Sequence, residues 1–312
     1  MKKHLHSFLL LLIVSSACTS CSVLTKQQKV SLKEFAGSAK AYTDAPKALL
    51  SNYGECLNKA GNLSAVLAED SSGIVRNLNR TVQTKLKITD FTSELNQTYN
   101  LMSKYYQALL ILADVDTASD IKSSILTLGI NIDSLISKSK NAKINTLPLG
   151  FGTITGNLAK YVGKRHIQHK QLEYLKEFTQ RGSELIETAS YVLDTIVIGA
   201  VIKGDLENEN QQIDSNFLRY VSTLEAKDKT PSAYYKDLDP IFTDSKTSCG
   251  QAIQIMNKLI EATVKLPPAQ KELVQLLQTK QSKFLTPQIS SFIESVDELN
   301  ELISIYTNQK NK

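Results

Sequence analysis

Apolar residues recur along most of this chain in alternating steps of three and four, and this spacing constrains the fold more than any other feature. One series consists of Phe35, Ala39, Tyr42, Pro46, Leu49, Tyr53, Cys56, Ala60, Leu63 and Leu67. Residues with this spacing form a stripe along one side of an α-helix, and that stripe must pack against other helices. The pattern therefore predicts long amphipathic helices that bury their stripes against each other.

Helix-breaking residues are scarce, because the 312 residues include only 7 Pro and 13 Gly. Such sparse punctuation favours long helices over many short strands and turns. The SLKE sequence that starts at Ser31 has the pattern of a capping box, which predicts a helix start there. Pro46 predicts a kink, or a restart capped by Thr43 or Asp44. Residues 74–88 fit a strand or a helix, and we expect a helix because a lone strand would have no partner.

The longest apolar register covers residues 153–202, and it predicts one helix of about 75 Å at 1.5 Å per residue. Gly204 is expected to bend or end that helix. Pro240 is expected to disrupt a later helix, and the pair Pro267 and Pro268 is expected to turn or kink the chain. Together these patterns predict an all-α fold, which is an elongated antiparallel helical bundle with one very long central helix. The bundle domain is expected to comprise residues 31–312.

The first seventeen residues have the composition of an export signal. Lys2 and Lys3 form a positively charged head, residues 8–14 are uninterruptedly apolar, and residues 15–17 are small. The apolar core is too short to span a bilayer as a permanent helix. We therefore expect residues 1–17 to be a lipoprotein signal peptide that is removed and contributes nothing to the fold.

The sequence VSSAC, which ends at Cys18, resembles the lipobox of bacterial lipoproteins. The resemblance implies that Cys18 is acylated and becomes the mature N-terminus, with Cys21 as the alternative lipidation site. Thr19 in place of Asp implies outer-membrane attachment in a Gram-negative cell, on either side of that membrane. Residues 18–30 are then a lipidated N-terminus and flexible tether, held stably by several acyl chains. The alternative is an ordinary secretory signal, which leaves both cysteines as thiols.

The charge of the chain is small and evenly distributed. The formal net charge of +5 falls to +3 once Lys2 and Lys3 are removed with the signal. Nucleic-acid-binding proteins usually carry a clustered basic face, whereas acidic and basic residues are interspersed here. We therefore expect no nucleic-acid partner.

Cys56 and Cys249 are the only cysteines beyond the tether, and each lies on the apolar stripe of its own helix. In an oxidising envelope compartment they can form a disulfide if their Cα atoms come within about 7 Å. Such a bond would place the first helix beside a late one. The alternative is two small core-filling residues that never meet.

His166, His169 and Glu173 share one face of a predicted helix, at steps of three and four. Two imidazoles and a carboxylate with this spacing can bind a metal ion. Three basic residues crowd the same sector and repel a cation, namely Lys164, Arg165 and Lys170. We therefore expect a solvated polar face and no metal site.

Two apolar segments allow a membrane-active interpretation. Residues 147–158 form a glycine-containing connection, and residues 191–202 are an apolar run interrupted by Asp194. The run is shorter than the roughly 20 residues of a membrane span, so we expect a buried helix there. The connection lacks the spacing of a phosphate-binding loop, and we expect a plain turn.

Recognisable catalytic motifs are missing from the sequence. The SxxK matches at Ser119 and Ser137 lack the companion motifs of the penicillin-binding class. We therefore expect a lipid-anchored cell-envelope protein that binds or scaffolds another macromolecule, and specifically another envelope protein, without catalysis or a cofactor. The alternatives are a membrane-active protein that inserts an apolar hairpin or helix, and an envelope enzyme of unknown type.

Overall fold

The fold is entirely helical in a computed structural model that describes residues 23–68, 70–114, 119–162, 164, 167–225, 231–279 and 286–310. No β-strand occurs in these ranges, so the predicted all-α class is confirmed. The helices are α1 (Lys26–Tyr42), α2 (Ala45–Val66), α3 (Ser71–Ala113), α4 (Ser119–Ser137), α5 (Ala142–Asn145), α6 (Phe151–Ala159), α7 (Ile167–Tyr191), α8 (Lys203–Glu225), α9 (Pro231–Gln278) and α10 (Pro287–Lys310). A π-helical segment, Val192–Ile202, joins α7 to α8.

Helices α1 and α2 follow one another along α9, in antiparallel register. Three contacts mark this register, namely Gln28 with Leu276, Tyr42 with Thr263, and Cys56 with Cys249. Residue numbers rise on one side and fall on the other by nearly equal steps, so the two segments remain side by side for about 42 Å. The predicted restart near Pro46 is confirmed, because α2 begins at Ala45 with Pro46 in its first turn.

The other long helices define the two ends of the bundle. Helix α3 is antiparallel to α1 and α2, because Tyr99 contacts Tyr42 and Asn77 contacts Ser64. Helix α8 is parallel to α2, because Asp205 contacts Tyr53 and Asn216 contacts Ser64. We call one end of the bundle the basal end. Helices α1, α7 and α10 begin at this end, and α3 and α9 end there. Four contacts show this arrangement, namely Gln28 with Leu276, Gln171 with Leu112, Lys33 with Asp114, and Gln288 with Glu272. The opposite end, where α2 ends and α3 begins, is the distal end.

Helices α4 and α6 form a hairpin that packs on α3 and α7. The carboxylate of Asp133 accepts hydrogen bonds from the backbone N–H groups of Gly150, Phe151 and Gly152 at 2.9, 3.0 and 2.8 Å. Negative charge at a helix N-terminus is stabilising, so Asp133 fixes the start of α6. Gly150 has a φ of 128°, which a residue with a Cβ rarely adopts.

An aromatic cluster fills the core between α3, α6 and α7. The rings of Tyr105 and Phe178 stack with centroids 5.2 Å apart, and Phe151 meets Phe178 edge to face at 5.2 Å. Tyr105 also accepts a hydrogen bond from Gln270 of α9 at 2.7 Å. The apolar connection at residues 147–158 therefore places Phe151 in the core.

A very long central helix is present, but it is not the predicted one. Helix α6 ends at Ala159, and α7 begins at Ile167 after a turn. The helical path then passes Gly204 without a break and ends at Glu225. The central helix is α9, whose 48 residues span about 72 Å and pack on α1, α2, α7, α8 and α10. The spacing of apolar residues can continue across a turn as well as along a helix. This continuity explains why one helix was predicted over residues 153–202.

The predicted break at Pro240 and the predicted turn at Pro267 and Pro268 are wrong, because all three prolines lie inside α9. The alternative of a kink at Pro267 and Pro268 stays a prediction. A proline in a helix interior removes a backbone hydrogen bond and costs about 3 kcal/mol. Leu266 and Ala269, on either side of the Pro267 and Pro268 pair, are fully buried. Packing along the full length of α9 compensates for the lost bonds.

The first helix begins earlier than predicted. Gln28 N donates to Thr25 Oγ1 and Thr25 N donates to Gln28 Oε1, both at 3.1 Å, which is a complete capping box. Ser31, the predicted cap, is buried within α1. The TKQQ sequence fits the same capping pattern as SLKE, and the structure uses the earlier one. The helical body therefore starts at Lys26, inside the range predicted to be tether.

Candidate binding surface

The first turns of α3 expose apolar side chains at the distal end. Ile74, Val75, Leu78 and Val82 are 40%, 57%, 42% and 52% exposed, and Val66 at the end of α2 is 57% exposed. The four α3 residues fall within an arc of about 100° on the helix. We call these five residues the distal patch. Clustered apolar side chains in contact with solvent are typical of interaction surfaces.

A close contact between α2 and α3 determines which side of α3 faces outward. A Cβ atom added at Gly61 would lie 2.0 Å from Oγ1 of Thr81, so only glycine permits this approach. On the same inward side, Asn77 Nδ2 donates to the carbonyl oxygen of Ser64 at 2.7 Å. Asn216 of α8 donates to the Ser64 hydroxyl at 2.9 Å. These contacts hold the polar side of α3 inward and leave the distal patch outside.

Beside these contacts, Arg80 joins α3 to α8. Its guanidinium donates to the carboxylate of Glu209 at 2.6 Å and to Gln212 Oε1 at 2.7 Å. Burial raises the pKa of Glu209, whose side chain is 13% exposed, and the nearby charge of Arg80 opposes part of this rise. One turn away on α8, Asp205 accepts from the Tyr53 hydroxyl at 2.7 Å, while burial raises the pKa of Tyr53.

The cleft between α2, α3 and α8 encloses about 20 Å³. That volume holds a single water molecule and excludes an organic substrate. The seven residues that line it are Leu57, Gly61, Ser64, Asn77, Arg80, Thr81 and Glu209. The polar cluster therefore positions three helices below the distal patch.

Two larger grooves are open to solvent. The groove between α7 and α9 has a volume of about 670 Å³ and a mixed-charge lining that includes Glu177, Arg181 and Lys271. Arg181 donates to the carbonyl oxygen of Leu149. The groove between the α1–α2 turn and α3 has a volume of about 580 Å³ and a lining of mainly amide and hydroxyl groups. Neither lining includes a cysteine or a histidine.

The structure brings Cys56 and Cys249 together in a disulfide. Their Cα atoms lie 4.6 Å apart and both side chains are fully buried. The bond joins α2 to α9, so the first part of the chain lies beside a late helix. The two predicted lipidation sites, Cys18 and Cys21, lie outside the described residues.

The predicted histidine face is only partly described. His166 and the side chain of His169 lie outside the described residues, and Glu173 is exposed and accepts from Lys170 at 2.7 Å. Among the residues that can be described, no three His, Cys, Asp or Glu side chains form a group that could hold a metal ion. Lys170, predicted to repel a cation there, therefore neutralises the candidate carboxylate.

Residues 192–202 of the apolar run form the π-helical segment, and the described apolar side chains of that segment are mostly buried. Val192, Leu193, Ile198 and Ile202 are all 0% exposed, and Asp194 is partly exposed. Over the ranges that the structure covers, no helix combines the length and apolarity required to cross a bilayer.

The distal patch was missed by sequence reasoning, although its signal was present. Val75, Leu78 and Val82 follow the helical spacing that predicted a buried stripe. The spacing identifies one face of a helix, but it does not reveal whether another helix covers that face. No known protein family, curated protein or solved structure matches this chain.

Proposed function

We propose that this protein is attached to the cell envelope, at the outer membrane, through acyl chains on Cys18 and binds another envelope protein without catalysing a reaction. The observation that supports binding is the distal patch, which lies at the end of the bundle opposite the N-terminal end of α1. An anchor at the basal end would hold the patch at the far end of a bundle whose central helix spans about 72 Å. The polar cluster beneath the patch supports binding because it fixes the patch geometry.

The chemistry of the patch favours a protein partner. Aliphatic side chains gain free energy when a complementary apolar surface removes them from water, at about 25 cal/mol per Å². Arg76 in the first turns of α3 and Asp70, which caps that helix, supply charges that can orient a partner. A partner with an apolar centre and charged margin would match both features.

The test uses paired variants of matched exposure. Leu78→Glu with Val82→Glu places two charges in the distal patch, where the side chains are 42% and 52% exposed. The control is Leu126→Glu with Ile130→Glu on α4, at 41% and 53% exposure and the same spacing. Acylated protein is cross-linked in intact cells, and partners are then identified from detergent-solubilised envelopes.

One envelope protein that cross-links to the wild type and the α4 variant, but not to the patch variant, would support the proposal. Equal cross-linking by all three chains would contradict it. Mass spectrometry of the mature N-terminus tests the anchor separately, because an unmodified terminus would exclude lipidation. Vesicle leakage tests the membrane-active alternative, which would require Phe151 and its buried neighbours to leave the core.

A further inference from the structure

The basal end of the bundle carries many basic side chains. Four exposed lysines belong to it, namely Lys26, Lys122, Lys160 and Lys164. Lys26 lies in the first turn of α1, next to the contact between Gln28 and the end of α9. The antiparallel hairpin of α4 and α6 places Lys122 level with Lys160 at the end of α6. Charges from three separate parts of the sequence therefore meet at one end.

Two carboxylates at this end pair with further lysines, whereas Glu34 is exposed and Glu272 accepts from the backbone N–H of Gln288. Asp114 pairs with Lys33 at 2.5 Å and with Lys29 at 3.3 Å, and Glu173 pairs with Lys170 at 2.7 Å. Two lysines share one aspartate, so these pairs do not offset the exposed lysines. Exposed lysines from three parts of the sequence therefore cluster at the basal end, beside the carboxylates of Glu34 and Glu272, even though the whole chain has a small net charge.

Two tyrosines accompany the lysines at the basal end. The rings of Tyr161 and Tyr174 lie 6.3 Å apart, and the ammonium groups of Lys164 and Lys170 lie 5.4 and 5.8 Å from the Tyr161 centroid. Tyrosine has an apolar ring and a polar hydroxyl, and it is enriched where proteins meet the headgroup region of a bilayer. Lysine complements anionic lipid headgroups, and its stem extends along apolar surface.

We infer that the basal end is a docking surface for an anionic phospholipid bilayer. This inference deepens the proposed function and rests on it for the position of the anchor, because the described chain starts at the basal end with Val23. Val23 follows Cys18 by five positions, which span at most about 17 Å when fully extended. Acylation at Cys18 would hold the basal lysines within reach of the headgroups, and their charge would orient the bundle with its distal patch away from the membrane.

The test measures lipid binding without the anchor. The mature chain from residue 18, with Cys18→Ser and Cys21→Ser, is mixed with phosphatidylcholine vesicles that contain 30% or no phosphatidylglycerol, and bound protein is measured by sedimentation. The basal variant is K26Q, K160Q and K164Q. The matched control is K138Q, K203Q and R219Q, which removes the same charge from exposed positions outside the basal end.

We expect binding only to the vesicles with phosphatidylglycerol, and weaker binding at high salt. Each lysine near an anionic surface contributes about a five-fold change in affinity, so the basal variant should bind about 100-fold more weakly. The control variant should bind as the parent chain does. Absence of binding, equal binding to neutral vesicles, or equal loss in both variants would overturn the inference. Because this chain has no anchor, these outcomes are independent of whether Cys18 is acylated.

Discussion

Single residues determine how closely the helices approach at the distal end. Gly61 and Thr81 bring α2 and α3 into contact. Ser64 of α2 accepts hydrogen bonds from Asn77 of α3 and from Asn216 of α8, so it links the three helices. The cysteine pair could be predicted from the sequence, because cysteines are rare and both lie on apolar stripes. The pairing of Arg80 with Glu209 could not be predicted, because charged residues are common and their pairing depends on the register between α3 and α8.

Gly61→Ala is expected to destabilise the protein, because its Cβ would lie 2.0 Å from Thr81 Oγ1. Overpacking of this kind costs about 1–3 kcal/mol, which chemical denaturation can measure. The control is Gly54→Ala on the same helix, where nothing lies within 4 Å of the added atom. That change should stabilise the helix by up to about 1 kcal/mol. Equal effects of the two substitutions would argue against the close contact.

Glu209→Gln is expected to change the pH dependence of stability. Burial raises the pKa of Glu209 above 4.5, so the folded chain holds this proton more tightly than the unfolded chain. The stabilisation from proton binding is present below pH 4.5 and is lost as pH rises through the folded pKa. The variant lacks this loss, so its unfolding free energy should rise relative to wild type as pH increases above 4.5.

Denaturation curves at several pH values measure the effect, with Glu207→Gln at an exposed position as the control. The prediction fails if the difference in unfolding free energy from wild type has the same pH dependence in both variants.

At the scale of elements, apolar spacing predicted the existence of helices well and their ends poorly. The restart at Pro46 and the helical state of residues 74–88 were predictable, because proline chemistry and stripe periodicity act locally. The continuity of α9 through three prolines was not, because it depends on packing against five other helices. The π-helical segment has no periodic signal of its own, since it depends on where the neighbouring helices are held.

Gly199→Ala tests the π-helical segment. A Cβ at residue 199 would lie 2.5 Å from the carbonyl oxygen of Asp194, five residues earlier in the same segment. The substitution should therefore lower the melting temperature and increase hydrogen exchange within residues 192–202. Gly204→Ala is the control, because its added atom meets nothing within 4 Å. Unchanged exchange in Gly199→Ala would contradict the π-helical geometry.

The disulfide between α2 and α9 should stabilise the bundle strongly, because it closes a loop with a sequence separation of 193 residues. Loop-closure entropy sets an upper estimate of about 5 kcal/mol for the loss of unfolding free energy on reduction. Denaturation with and without reductant measures this loss. The double variant Cys56→Ala and Cys249→Ala should be insensitive to reductant, and a wild type that is equally insensitive would contradict the prediction.

For the whole molecule, the length of α9 sets the size of the particle. Small-angle X-ray scattering of the unacylated mature chain should give a maximum dimension of at least about 72 Å, the span of 48 helical residues. A smaller maximum dimension would show that α9 is broken in solution, with the prolines as the obvious breakpoints. Substitution of Pro267 and Pro268 by alanine should then restore the longer dimension.

The register of α1 and α2 on α9 has a consequence for the order of biogenesis. Residues near position 28 find their partners near position 276, so the earliest segment to be synthesised must wait for nearly the last. Contacts between residues this distant in sequence make folding slow. Until α9 has been synthesised, the apolar stripe of α1 and α2 remains exposed. The topology therefore delays formation of the core until nearly the whole chain has been synthesised.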